Sequence, residues 1–207
     1  MEISAKLVKE LRDQTGAGMM DCKKAPKETD CDIEAAVDFL RTKGILKASK
    51  KSGRTTQEGI IGSYIHPGEK IGVLIEINCE TDFAARTDGF QDLVRNIAMQ
   101  VAATNPACVR REEIPSETLD REKQIYRTQA LESGKPEKII DKIIDGKVEK
   151  YFKENCLMEQ DYIRDPEKTV EELVKETIGT IGENIIVARF VRFQLGESAS
   201  ESSPEEE

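Results

Sequence analysis

Tryptophan is absent from this 207-residue chain, and aromatic residues make up only 5% of it. A module that reads nucleic acid by stacking bases on exposed rings has little to work with here. Histidine occurs once, at His66. The five cysteines (Cys22, Cys31, Cys79, Cys108, Cys156) are odd in number, irregular in spacing and contain no Cys-x-x-Cys. That leaves zinc without a ligand set and makes free thiols in a reducing compartment the plain expectation. Positive charge is in short supply: 31 Lys and Arg stand against 40 Asp and Glu, a net charge of −9. Bulk electrostatic binding of nucleic acid is disfavoured by that balance. No apolar run approaches the roughly 18 residues that span a bilayer. The start, MEISAKLVKELRDQ, is amphipathic and lacks the apolar stretch of a secretory signal. Nucleotide cradles of the GxxxxGK or GxGxxG type are missing, as are GxSxG and HExxH.

What is present is a hydrophobic fraction of 38%, enough for a core, and a charged fraction of 34%, typical of a helix-rich soluble chain. At this length one core domain with a small appended domain is expected. Residues 1–45 read as three short helices. Leu7 and Leu11 share a face, Thr15-Gly16-Ala17-Gly18 turns the chain, and a second helix runs from about Met19 to Glu28. Asp32 caps a third helix carrying Ile33, Ala36, Val37 and Leu40, which is expected to end near Gly44. A connector over 46–57 follows. From Arg41 to Arg54 there are six basic residues and no acidic one: a solvated connector, or a phosphate-binding patch.

EGIIGSYI, HPGE and KIGVLIEINCE, over residues 58–80, read as strand, turn and strand. Ile71, Val73, Ile75 and Ile77 face one way. Helical periodicity then takes over, with Phe90, Leu93, Val94, Ile97 and Val101 on one stripe of residues 89–104. Further helices are expected at about 116–133, 137–156 and 169–181. The last strand, 184–195, has apolar residues on both faces, so two covers are expected: the chain's own helices and a second copy of the chain. The tail GESASESSPEEE carries five Glu and no base and reads as disordered.

Chemistry is hard to find in this pattern. A Cys79–His66 thiol dyad is opposed by strand geometry, since ten residues at ~3.3 Å each separate the two by about 30 Å. A nucleophile and its base need to lie within about 3 Å. The odd feature is Thr81-Asp82-Phe83, at the junction between a strand and a helix, where loops on rigid scaffolds often carry function. Its bland reading is a helix cap with a hydrophobic staple. Its sharp reading is a wedge, with Phe83 entering a partner's groove while Asp82 competes for a polar contact there.

Four segments in order carry a resemblance. VKELRDQTGAGMMDCKK (8–24), NCETDFAAR (78–86), GKVEKYFKENCLMEQ (146–160) and IGENIIVARFVRF (181–193) resemble motifs of the translation elongation factor Ts family. The likeness covers about residues 2–196. It implies an α+β fold: a ubiquitin-associated-like (UBA-like) three-helix module over 1–54 with its basic linker, then a core over 55–196 with a three-stranded antiparallel sheet and packed helices, and the disordered acidic tail over 197–207. Longer family members carry two core subdomains. This chain has one, and short members resembling it form homodimers.

The resemblance further implies guanine-nucleotide exchange on elongation factor Tu, met in its GDP-bound and nucleotide-free forms. No catalytic residue, cofactor, metal, membrane or direct nucleic-acid partner is implied. By similarity Thr81, Asp82 and Phe83 would intrude near the partner's nucleotide and magnesium site. Met19 and Met20, with Lys23, would grip its GTPase domain. Ile181 and Gly182 match family contact positions, and His66 matches a position that can act from the second copy. The setting implied is a bacterial cytoplasm or a plastid stroma. The alternative reading of another class is a helical adaptor that touches RNA or ribosome through the basic 41–54 segment. The chain departs from the family pattern at Pro26, where Leu is usual, at Cys31, where Gly is usual, and at Ala84, where Val is common. An interior helical Pro costs about 3 kcal/mol, and a non-Gly residue at positive φ about 1 kcal/mol.

Overall fold

The computed structural model describes residues 4–134 and 136–197. Part of the acidic tail, 198–207, lies outside the described residues. Three helices come first, α1 (Ala5–Thr15), α2 (Met19–Glu28) and α3 (Ile33–Ser49). Strands β1 (Glu58–Ile65) and β2 (Ile71–Cys79) form the hairpin. A four-residue helix α4 (Asp82–Ala85) leads into α5 (Asp88–Thr104). Next come α6 (Ser116–Glu132), α7 (Glu137–Asn155), a small hairpin of β3 (Asp161–Tyr162) and β4 (Asp165–Thr169), then α8 (Val170–Ile181) and β5 (Ile185–Gln194). The main sheet has the order β1-β2-β5, and β3 pairs antiparallel with β4. The fold is thus three N-terminal helices followed by a small antiparallel sheet with packed helices.

Contacts divide the chain into two units, one of Met1–Gly62, Glu76–Asn96 and Glu172–Val187, the other of Ser63–Ile75, Ile97–Glu171 and Ala188–Glu207. In the first unit α1–α3 close on Val8, Leu11, Cys22, Ala25, Ala36 and Leu40. Each helix starts or stops for a local reason. The Ser4 side chain accepts the Leu7 N–H, the Asp32 carboxylate accepts the Ala35 N–H, and Gly16 ends α1 in the left-handed region. α2 runs through Pro26, which is buried, and the chain leaves it with Cys31 at φ 63°, the conformation for which Gly is usual.

One expectation fails here. The third helix does not end near Gly44; it runs to Ser49, so residues 46–49 are helix and not connector. A Cβ built on Gly179 of α8 would lie 3.0 Å from the Gly44 Cα, so the two helices meet glycine against glycine. The basic run is taken up on two faces of α3: Arg41 pairs with Glu176 at 3.0 Å and Glu172 at 3.6 Å, and Lys43 and Lys47 both hold Asp21.

In the second unit α6 and α7 form a helical hairpin around Ala130, Ile140, Ile144, Val148, Phe152 and Cys156. Arg111 lies 4.4 Å over the Phe152 ring and pairs with Glu159 and Glu149. Gln100, fully buried, donates to Gln160 Oε1 and the Asp161 carbonyl, both at 3.1 Å, and accepts the Ile163 N–H at 2.9 Å. That network fixes the β3–β4 hairpin, which the sequence did not foretell. Along β5, Ile185 and Val187 are buried while Val191 and Phe193 on the same alternation are exposed.

Candidate functional site

In the first unit the end of α8 touches two segments that carry proposed functional residues, the Gly16 corner before α2 and the Thr81 turn. That helix stops at Ile181 because Gly182 turns left-handed at φ 90°, its N–H donating to the Ile178 carbonyl at 2.9 Å. Thr180, in the last turn, abuts the Gly16 corner: a Cβ on Gly16 would sit 3.1 Å from Thr180 Cγ2. Three residues beyond Gly16 the second helix begins with Met19 and Met20, which are 51% and 76% exposed. Lys23, also exposed, follows one turn on.

On the other flank Glu183 receives two hydrogen bonds from Thr81. The Thr81 N–H donates to Oε2 at 2.9 Å and its hydroxyl to Oε1 at 2.6 Å. Thr81 in turn caps α4, its Oγ1 accepting the Ala84 N–H at 3.3 Å. The capping half of the bland reading therefore holds, but the stapling half does not: Phe83 is 77% exposed. Ala84 and Ala85 are the buried face of this short helix, so Phe83 points away from the core by periodicity. Asp82 faces Arg86, which donates to its Oδ2 at 2.8 Å.

A second pair of bonds runs the opposite way. The Asn184 N–H donates to Glu80 Oε1 at 2.6 Å, and Arg54 pairs with the same carboxylate at 3.4 Å. The buried Asn184 amide donates to the Arg54 carbonyl at 2.8 Å. Residues 80–81 and 183–184 thus exchange carboxylates and N–H groups across the site. Neither Glu80 nor Glu183 stands out in the sequence, because the pairing joins segments 102 to 104 residues apart. Glu183 lies in the segment IGENIIVARFVRF, whose pattern is dominated by its strand residues.

Thiol chemistry finds no footing here. Cys79 is buried, its Sγ donates to the Thr81 carbonyl at 3.1 Å, and burial pushes its thiol up from the ordinary range. His66, in the second unit, is exposed at the end of β1, its Nδ1 3.1 Å from the Tyr64 hydroxyl. Among the described residues no group of three His, Cys, Asp or Glu could hold a metal ion, and no helix is long and apolar enough to cross a membrane.

The turn thus presents one exposed aromatic, capped by Thr81 and clamped by Glu183, and the start of α2 presents two exposed methionines. The sequence model of the family described as elongation factor TS matches residues 21–197. A protein named elongation factor Ts from Desulfosudis oleivorans is 60% identical over 195 residues, covering 94% of this chain and 98% of that one. Its namesake from a Thermoanaerobacter species is 56% identical over 203 residues, 98% of this chain and all of the relative. The Geobacter sulfurreducens relative of the same name is 60% identical over 197 residues, 95% of this chain and 91% of its own length. The chain belongs to the elongation factor Ts family.

Proposed function

We propose that this chain is a guanine-nucleotide exchange factor. It binds elongation factor Tu carrying GDP, promotes GDP release by disturbing the Mg²⁺ and phosphate site, and leaves the pocket open for GTP during translation elongation. The observation that carries this reading is the exposure of Phe83 on a turn clamped by Glu183, in a chain of this family.

The physics is binding. A GTPase holds its nucleotide through phosphate contacts and a metal ion that neutralise the charge. A partner that prefers the empty form must, by linkage, weaken nucleotide affinity by the same factor. Displacing what surrounds the ion is an effective route, since the ion is the largest local charge. In this reading Thr81 presents the turn, Phe83 wedges into the partner and Asp82 competes for a polar contact near the metal. Met19, Met20 and Lys23 grip the GTPase domain, and Ile181 and Gly182 add contacts from the core. The chain itself supplies no nucleophile, general base or cofactor.

We assign 1–54 as the recognition module, of UBA-like type, 55–196 as the core and 197–207 as an acidic tail. The core pairs with a second copy. Val191, Phe193, Leu195, Ile65 and Leu74, exposed in the second unit, support that pairing, and His66 acts from the partner copy. A bacterial cytoplasm is the setting that fits the relatives. No observation favours the RNA-binding adaptor: Arg41, Lys43, Lys47 and Arg54 of the basic run are engaged in ion pairs.

The test is release of fluorescent GDP from elongation factor Tu with and without this chain, beside a mass measurement of the free chain. Accelerated release that Phe83→Ala abolishes is expected, with a free mass of twice the monomer. An unchanged release rate at saturating dose refutes the exchange reading, and a monomeric mass refutes the dimer.

A further inference from the structure

We infer that Glu183 is a positioning residue for exchange, fixing the turn that carries Asp82 and Phe83; this rests on the wedge reading above. Phe83 is too exposed for packing to fix its place, and α4 is a single turn. The position of that turn is set at its start, where Thr81 is held through both its N–H and its hydroxyl by one carboxylate. The bidentate geometry fixes orientation as well as distance, and charge-assisted bonds are the stronger kind. The reciprocal bond from Asn184 to Glu80 stops the segment from pivoting about Thr81. Glu183 itself is anchored one residue beyond the left-handed Gly182, at the end of a helix packed glycine against glycine on α3.

The experiment measures GDP release from elongation factor Tu as a function of the concentration of this chain, for Glu183→Ala, Glu183→Gln and Phe83→Ala. Glu183→Ala should lower the maximal release rate about five- to thirtyfold, the loss that goes with a cap and its anchor, and shift the half-saturating concentration far less. Glu183→Gln should recover most of the rate, since its carboxamide oxygen still accepts the Thr81 N–H and its amino group can donate to the hydroxyl oxygen. A merely structural role would instead lower the melting temperature and leave the maximal rate of the folded fraction unchanged. A wild-type maximal rate for Glu183→Ala overturns the inference if Phe83→Ala is impaired. If Phe83→Ala is unimpaired too, the wedge reading falls with it.

A separate observation lies in the second unit. The Cys108 and Cys156 sulfurs are 3.6 Å apart, on residues that form an isolated parallel bridge. Bridged backbones lie about 4.8 Å apart, inside the Cα window a disulfide needs. The structure assigns this pair as an oxidisable dithiol that takes a peroxide and closes an intrachain disulfide at the base of the α6–α7 hairpin. The half-buried Cys108 attacks one peroxide oxygen as thiolate, giving a sulfenic acid and water once a proton is taken up. The Cys156 thiol then displaces the second oxygen as water, so that two thiols and one H₂O₂ give one disulfide and two waters. Cys108 is the attacking group because it is half-buried where Cys156 is fully buried; burial raises both thiols, Cys156 to about 12.

The full native chain is treated with hydrogen peroxide, its remaining thiols are blocked with N-ethylmaleimide, and it is digested without reductant. One crosslinked peptide joining Cys108 to Cys156 is expected, absent from Cys108→Ser and diluted among other pairings in chain oxidised in denaturant. Cys108→Ser alters a half-buried position by one atom and keeps the hairpin folded. Oxidation of the half-buried Cys31 without a Cys108–Cys156 crosslink overturns the assignment, as does Cys108 recovered as sulfinic acid.

Discussion

Gly44 and Gly179 meet across two helices, yet alanine at each should act with opposite sign. A Cβ on Gly44 has nothing within 4 Å, whereas one on Gly179 lies 3.0 Å from the Gly44 Cα and 3.3 Å from its carbonyl oxygen. Gly44 is interior to α3, where Ala is favoured over Gly by about 0.8–1 kcal/mol. Gly44→Ala should therefore stabilise by about that amount, a rise of about 2–4 °C in melting temperature for a chain of this size. Gly179→Ala collects the same propensity gain but forces two backbones apart. Overpacking costs about 1–3 kcal/mol, so the net is a loss of up to about 2 kcal/mol. The atoms met are backbone and have no rotamer to escape into. Urea denaturation of the two single variants decides the matter. Equal stabilisation by both would refute the reasoning, because it would mean that α3 and α8 do not touch where these glycines place them.

Phe83→Ala should leave the unfolding free energy in urea unchanged within about 0.5 kcal/mol, since an exposed side chain takes little apolar area from water, while GDP release slows. Asp21→Asn should destabilise the N-terminal helices by about 1 kcal/mol or less, a limit set by the partial exposure of its pairs with Lys43 and Lys47. Hydrogen bonds from those two lysines hold the Asp21 carboxyl below its ordinary value. Its contribution is thus present above the ordinary carboxylate value of about 3.9 and lost as the pH falls below it, so acid titration of wild type and Asp21→Asn should converge at low pH. Gln100→Met keeps the volume but orphans the Ile163 N–H, and should cost about 1–3 kcal/mol by thermal unfolding.

Local signals made most of the fold legible. The Ile71–Cys79 alternation, the Phe90-to-Val101 stripe and the Asp32 cap each lie within a few residues, and each element formed where its period placed it. Gly44 does not end α3, for a physical reason: a glycine is tolerated inside a helix at modest cost, and nothing local distinguishes that from a stop signal. The β3–β4 hairpin escaped notice because its order comes from Gln100, some 60 residues earlier, and not from strand propensity. At the site, Thr81-Asp82-Phe83 announced itself as a polar-aromatic junction. Its clamp did not, since an isolated Glu after a glycine carries no pattern.

The exposed Phe83 and its clamp make sense together. A flexible α4 would let an aromatic ring fold back over nearby apolar surface, and the ring would then have to be drawn out again at each encounter. Ordering a segment at the moment of binding subtracts from the affinity that remains. The Glu183–Thr81 bonds set that order beforehand, during folding, where the cost is shared with the rest of the unit. The same argument accounts for the use of the basic run. Lys43 and Lys47 bind Asp21 in the first turn of α2, the turn that Met19 and Met20 open, so the charges that resembled a nucleic-acid patch stiffen the helix proposed to grip the partner. A rigid surface of this kind suits a partner that must be gripped tightly when empty and released when GTP returns: the discrimination then resides in the partner's two states, and none of it is spent on reshaping this chain.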